Sequence, residues 1–192
     1  MQTSLEKARK TLVYGKRSNH PSCILLMGLP GTGKSHVSRY LHTRYGYTIL
    51  SWENITHALF GDTRCQAEQY KEAYVALYKL AQELVDNGYS IVIDGTNLQY
   101  SHRKQAYNAI WTRAKIWWIH LVISDEVALE RTKSRGEDSD DPTNILSQCS
   151  LEAFQSFRES MEPAREGEQI YEVVSDENIF ESVDEVINFL WT

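Results

Sequence analysis

Only three cysteines occur in the 192 residues, Cys23, Cys65 and Cys149, and no two of them form a CxxC. A scattered, odd set of thiols excludes a disulfide framework and fits a reducing cytosol. Long apolar runs are missing too. The longest, "CILLM" and "IWWIHLVI", fall far short of the ~20 residues that span a bilayer. No basic start with an apolar stretch behind it opens the chain, so no signal peptide is expected and the reading is a cytoplasmic protein with no membrane contact. Excess positive charge is also absent, since the formal net charge is −6. A protein that coats nucleic acid non-specifically carries a basic surface, so this chain has room for a local basic site at most. Its charge is uneven, with residues 101–115 basic and 159–187 strongly acidic. Without repeats or low-complexity linkers, the chain reads as one domain long enough to bury a core.

What is present is an alternation. "SCILLM", "YTILS", "YSIVID", "KIWWIHLVI" and "QIYEVVS" read as strands. Between them lie helical patterns: "SHVSRYLHTRYG", "WENITHALFG", "QAEQYKEAYVALYKLAQELVDNG", "SHRKQAYNAIWTRA", "SDEVALERTKSRG", "ILSQCSLEAFQSFRESM" and "IFESVDEVINFLW". Leu5, Ala8, Leu12 and Val13 predict a short amphipathic helix in an N-terminal extension, residues 1–21. Strands alternating with helices require crossovers, hence an α/β three-layer sandwich around a five-stranded parallel sheet over residues 22–192.

The first strand runs into "GLPGTGKS", residues 28–35, which has the form GxxxxGK[ST]. Gly28, Gly31 and Gly33 let the backbone bend so that amides converge, and the helix N-terminus adds its dipole. Pro30, Thr32 and His36 belong to the same stretch. An ATP triphosphate would sit there, with Lys34 reaching the β- and γ-phosphates and Ser35 holding Mg²⁺. The third strand ends in "IVIDGTN". Asp94, at a carboxyl end where ligands gather in such sheets, can bind the Mg²⁺ shell or orient an acceptor. Asp94, Thr96 and Asn97 can equally form a capped turn.

"GLPGTGKS", "LSWENITHALFG", "VIDGTNLQYSHRKQAY" and "VALERTKSRG", in that order, resemble the P-loop kinases related to the polynucleotide 5′-kinase domain. The zeta-toxin-like ATP-binding proteins and chloramphenicol phosphotransferases are more distant relatives. The resemblance implies a sheet order of 2-3-1-4-5 and a helical lid near residues 125–142. It implies an ATP- and Mg²⁺-dependent phosphotransferase with a hydroxyl acceptor, first an RNA or DNA 5′ end and otherwise a metabolite or nucleotide sugar. A nucleotide-binding regulator with little turnover is the alternative of another class, and a homo-oligomer is left open.

Site roles follow from the resemblance. Glu53 stands where the relatives carry an aspartate base, and it also suits a helix N-terminus capped by Ser51. Thr56 replaces an arginine that helps bind the acceptor's phosphate. Arg103 follows "DGTN" at the family's spacing, as an acceptor contact, a loop support or part of a solvated basic face with Lys104. Arg131 and Arg135, four apart on one helix face, resemble lid arginines closing over the γ-phosphate, where the chemistry needs positive charge. No histidine pair has metal-ligand spacing with cysteine. Trp117 and Trp118 read as core strand. Tyr70, Tyr74 and Tyr78 form a helical stripe that packs in the interior or, in the other reading, lines an acceptor groove.

Overall fold

β1 (Ser22–Met27) is buried at every position, which is why its apolar run shows no alternation. Beside it lie β3 (Ile91–Asp94) and β4 (Lys115–Val122), and outside these lie β2 (Thr48–Ser51) and β5 (Ile170–Val174). All pairings are parallel and the order is β2-β3-β1-β4-β5, as the resemblance implies. The computed structural model describes residues 2–61, 67–133 and 149–191.

Helices cover both faces of the sheet. On one face α1 (Ser4–Arg9), α3 (Trp52–Phe60), α4 (Ala67–Asp86) and α5 (Tyr100–Ile110) bury Leu25, Ile55, Leu77, Leu80, Ile93 and Trp118. On the other, α2 (Lys34–Tyr45) and α8 (Ile179–Trp191) close over Ile24, Leu41, Trp117 and Val183. The two adjacent tryptophans thus point to opposite cores, as period-2 alternation on a strand requires. A third cluster joins α6 (Asp125–Lys133) and α7 (Leu151–Glu159) to the carboxyl end of the sheet through Leu29, Leu98, Ala128 and Phe154. Among the described residues, no helix is long and apolar enough to cross a membrane.

Some boundaries depart from the sequence reading. Helix α5 ends at Ile110, and Arg113 and Ala114 turn back to donate to the Ile110 carbonyl. Helix α7 starts at Leu151 because the Ser150 hydroxyl caps it, accepting from the Ala153 amide. The chain start separated as an extension packs into the domain. Helix α1 carries a Thr3–Glu6 capping box and buries Ala8 completely. Residues 13–18 then run along the β2 edge: Ile49 donates to the Val13 carbonyl at 2.9 Å, and Lys16 to that of Gly46 at 2.7 Å. That strap occupies backbone groups an edge strand would otherwise expose.

Candidate active site

The phosphate-binding loop is held from three sides. The Gly28 amide donates to the Thr96 carbonyl at 3.1 Å, tying the loop to the end of β3. The Thr32 hydroxyl donates to the Leu29 carbonyl at 2.9 Å from within the loop. Gly31, at φ +86°, lies so close to α6 that a Cβ there would meet the Ala128 carbonyl oxygen at 2.0 Å. Only glycine satisfies both the backbone angle and the space. Helix α2 opens directly behind, with Gly33 at its N-cap and no side chain capping it. Lys34 is buried and its Nζ donates to the Leu29 carbonyl at 2.8 Å. Pro30 and Ser35 are half-buried, and His36 is exposed.

Asp94 closes β3 and is 7% exposed. Ser38, one turn into α2, donates to its Oδ2 at 3.3 Å and to the Ser35 carbonyl at 3.1 Å. Ser38 thus ties the Asp94 carboxylate to the backbone of α2 at Ser35. A hydroxyl and a carboxylate are hard oxygen donors, and Mg²⁺ is usually held by few protein oxygens plus substrate phosphates and water, so the donor set fits. Register places Ser51 opposite Asp94. Ser51 caps α3, accepting from the Asn54 amide at 3.3 Å, and this puts Glu53 in the first turn beside the end of β3.

Asn97 has φ +47° and donates from Nδ2 to the Leu26 carbonyl at 2.7 Å. With Thr96 holding Gly28, "DGTN" fastens β3 to β1 below the phosphate loop. Two residues at the relatives' acceptor positions turn inward. Thr56 is fully buried, its hydroxyl donating to the carbonyls of Trp52 and Glu53 in its own helix. Arg103 is 0% exposed, paired with Glu168 and donating to the carbonyls of Leu98, Glu162 and Pro163. Its guanidinium faces inward because α5 buries that side against the 162–168 turn, which it fastens to the loop after β3.

Arg131, on α6, donates to Ser175 twice, from Nη1 to the hydroxyl at 3.1 Å and from Nη2 to the carbonyl at 3.3 Å. The α6 arginine is thereby anchored to the turn after β5. His36 lies on Phe180 with centroids 4.8 Å apart. Partial burial against that ring, then the charges of Arg39 and Arg131, push its pKa down. Arg135, Cys65 and lid residues 134–142 lie outside the described residues.

A ring cluster borders the Asp94 end. Trp52 lies 5.0 Å from Tyr70 and 5.8 Å from Tyr74, and Tyr74 stacks on Tyr78 at 5.6 Å and meets the tilted His102 ring at 4.9 Å. A Cβ on Gly95 would sit 3.7 Å from the Trp52 Cβ, so the cluster starts against "DGTN". The Trp52 Nε1 is buried and has no acceptor among the described residues. Beside it opens a cavity of about 550 Å³ bounded by Tyr70, Lys71, Tyr74 and His102. Burial pushes the Tyr74 and Tyr78 phenols up and His102 down, the last against the pull of Glu162. Sequence reasoning overlooked Ser38 and Ser175. Ser38 was accessible to it, three residues past Ser35 on the same helix face.

Comparison with known proteins places this geometry. Kti12 of Chaetomium thermophilum, solved with ADP-AlF3, superposes with a TM-score of 0.66 at 17% identity, covering 88% of this chain and 97% of that one. The Mycobacterium tuberculosis APS kinase CysC, solved with AMPPNP and APS, gives 0.64 at 20% identity, covering 91% and 100%. A chain of the Pnkp1/Rnl/Hen1 RNA repair complex gives 0.58 at 19% identity, covering 76% of this chain and 48% of that one. At these identities the likeness establishes the fold. No curated protein matches the sequence. Residues 23–164, most of the chain, match the AAA domain family, AAA_33, so the protein belongs to that family and has the fold of the P-loop kinases.

Proposed function

We propose that the protein transfers the γ-phosphoryl group of ATP to a hydroxyl group, and that the acceptor is the 5′ end of an RNA or DNA strand. The observation that supports this reading is Asp94 at the end of β3, tied to α2 through Ser38, with Glu53 in the first turn of α3, whose cap Ser51 is Asp94's register partner, next to the Trp52–Tyr70–Tyr74 ring cluster. Carboxylates there serve hydroxyl activation, and aromatic faces accept a nucleobase whatever its identity.

Residue roles follow from position. Lys34, the loop amides and the α2 N-terminus hold the β- and γ-phosphates. Ser35 and Asp94 would hold Mg²⁺, which supplies charge neutralisation when bound. Glu53 takes the acceptor proton as the hydroxyl oxygen bonds to phosphorus and ADP leaves with the bridging oxygen. Arg131, braced on Ser175, and Arg135 offset the charge on the moving phosphoryl group.

A small-molecule acceptor is the second reading, and a specific observation favours it. Thr56, which replaces the relatives' acceptor-binding arginine, and Arg103 both spend their polar groups on internal partners, which supports an acceptor that brings no strand phosphates to them.

The test is incubation with γ-labelled ATP and a panel of 5′-hydroxyl oligonucleotides, nucleosides and sugars. Transfer to oligonucleotides that is abolished in Lys34→Ala and sharply reduced in Glu53→Gln supports the proposal. Transfer to small hydroxyl compounds alone selects the second reading. Tight ATP binding with no transfer to any acceptor, and no change in Glu53→Gln, overturns the kinase and leaves a nucleotide-binding regulator.

A further inference from the structure

Away from the phosphate loop, at the amino ends of β4 and β5, lies a second cavity of about 740 Å³. One wall is the outer face of α5, where Tyr100, Lys104, Tyr107 and Trp111 follow at spacings of four, three and four, so all lie on one stripe. Lys115 continues it at the start of β4. The Tyr107 and Trp111 rings are parallel within 3°, with centroids 6.1 Å apart. They are 48% and 55% exposed, although rings of this size are normally buried. Tyr100, at the upper end, carries the Arg165 guanidinium over its face at 3.8 Å and the Lys104 ammonium at 5.9 Å.

Charge identifies the occupant. Over the whole chain acids outnumber bases and the net charge is −6, yet residues 101–115 contain four bases and no acid. Arg103 is cancelled by Glu168 and Arg113 by Asp86. Lys104 and Lys115, both exposed, flank the two rings. On the facing wall Glu168 is neutralised, which leaves Glu166 as the acid of that rim. A stripe reading cation, ring, ring, cation on an acidic protein matches a chain that alternates anionic phosphates with planar bases.

From this we infer that the outer face of α5 binds single-stranded nucleic acid, with bases stacking on Tyr107 and Trp111 and phosphates beside Lys104 and Lys115. The site is separate from the phosphotransfer site and does not depend on the kinase reading. The stripe begins at Tyr100, just after the Asn97 loop, so a strand on it leads toward the carboxyl end of the sheet, where Asp94 lies. Stacking and point charges read no sequence, so the preference is for unpaired strands of any composition.

The test uses the full chain and a labelled single-stranded RNA of about twelve nucleotides, within the usual site sizes. The RNA carries a 5′-phosphate, so it cannot act as an acceptor. Fluorescence anisotropy measures binding without ATP, for the native chain, Trp111→Ala, Tyr107→Ala, Lys104→Glu and Lys115→Glu, each melted to confirm folding. The expectation is a roughly tenfold or larger loss of affinity for each ring variant, as for a stacked base. The native chain should show a logarithmic salt slope near −1.4 for two phosphate contacts, halved in either lysine variant. If a ring variant does not fold, the lysine variants alone decide. Affinity unchanged in the variants, equal affinity for duplex, or no binding overturns the inference. So does concentration-dependent self-association lost in the same variants, which assigns the face to a second copy of the chain. Lys34→Ala separates this outcome from the kinase: it should abolish transfer and leave this binding intact.

Discussion

Arg103 forms a bidentate pair with Glu168, Nε to Oε1 at 2.8 Å and Nη2 to Oε2 at 3.0 Å, with the guanidinium wholly buried. The remaining N–H groups go to three backbone carbonyls, so one side chain fastens α5 to the turn leading into β5. Burial pushes the Glu168 carboxyl up, but the Arg103 and Arg165 hydrogen bonds outweigh it and hold its pKa below the ordinary value.

Breaking this pair from one side is costly. Arg103→Ala strands a mostly buried carboxylate and three carbonyls, and a loss of about 3–5 kcal/mol is expected. Urea melts of Arg103→Ala and Glu168→Gln test it. A loss under 1 kcal/mol for Arg103→Ala would assign the arginine to a site other than the fold.

Gly31→Ala should separate α6 from the phosphate loop. Its Cβ would need the space of the Ala128 carbonyl oxygen, and φ +86° is strained for alanine. The expected outcome is a melt lowered by at least ~1 kcal/mol and a many-fold weaker response to ATP in titration calorimetry. Native-like ATP binding would show that α6 does not need that contact.

Arg131→Lys keeps the charge but replaces the planar fork, which reaches Ser175 from two nitrogens, with a single ammonium. Stability should change by less than ~1 kcal/mol because the side chain is at the surface. Turnover on whichever acceptor the labelled panel identifies should fall roughly 10²-fold through kcat, the scale seen when one transition-state donor is lost. An unchanged kcat removes Arg131 from the proposed mechanism.

Trp52→Phe removes a buried N–H that has no acceptor among the described residues and keeps a ring at that site. Stability should hold or rise by up to about 1 kcal/mol, since a stranded donor costs its desolvation. The KM for a base-bearing acceptor should rise while kcat holds. A clear fall in stability would mean the indole nitrogen is paired in solution.

Burial, only partial at His36, holds His36, His102 and His120 below the ordinary histidine value of 6.5, helped at His36 by Arg39 and Arg131 and opposed at His102 by Glu162 and at His120 by Glu172. Just below that value the unfolded chain binds more protons than the folded one, so stability increases with pH there. This contribution is complete above 6.5 and is lost as pH falls through the folded values. Urea midpoints should be lower at about pH 5.5 than at about pH 7.5, with a smaller difference in His102→Gln. A higher midpoint at the acid end would contradict the assignment.

How far each site residue was legible depended on the range of the interaction. The phosphate loop was readable because its function is local, a strand, a run of glycines and a helix start in one short stretch. Glu53 in a capped first turn was readable for the same reason. Arg103 was not, because its carboxylate partner and two of its three carbonyl partners lie 59 to 65 residues away in the acidic segment. The same holds for Arg131, whose Ser175 anchor is 44 residues on.

By itself the sequence determined the alternation of strands and helices, the phosphate-binding loop and the basic character of residues 101–115, since periodicity, glycine placement and charge are properties of neighbours along the chain. Only the tertiary structure decided which charged groups are consumed by partners and which stay available. Folding spent Arg103 on Glu168, turned Thr56 into its own helix, left Trp52 Nε1 without an acceptor among the described residues and kept Tyr107 and Trp111 at the surface. The reason is physical: a buried polar group must find its partner in space, and that partner is set by how the layers pack.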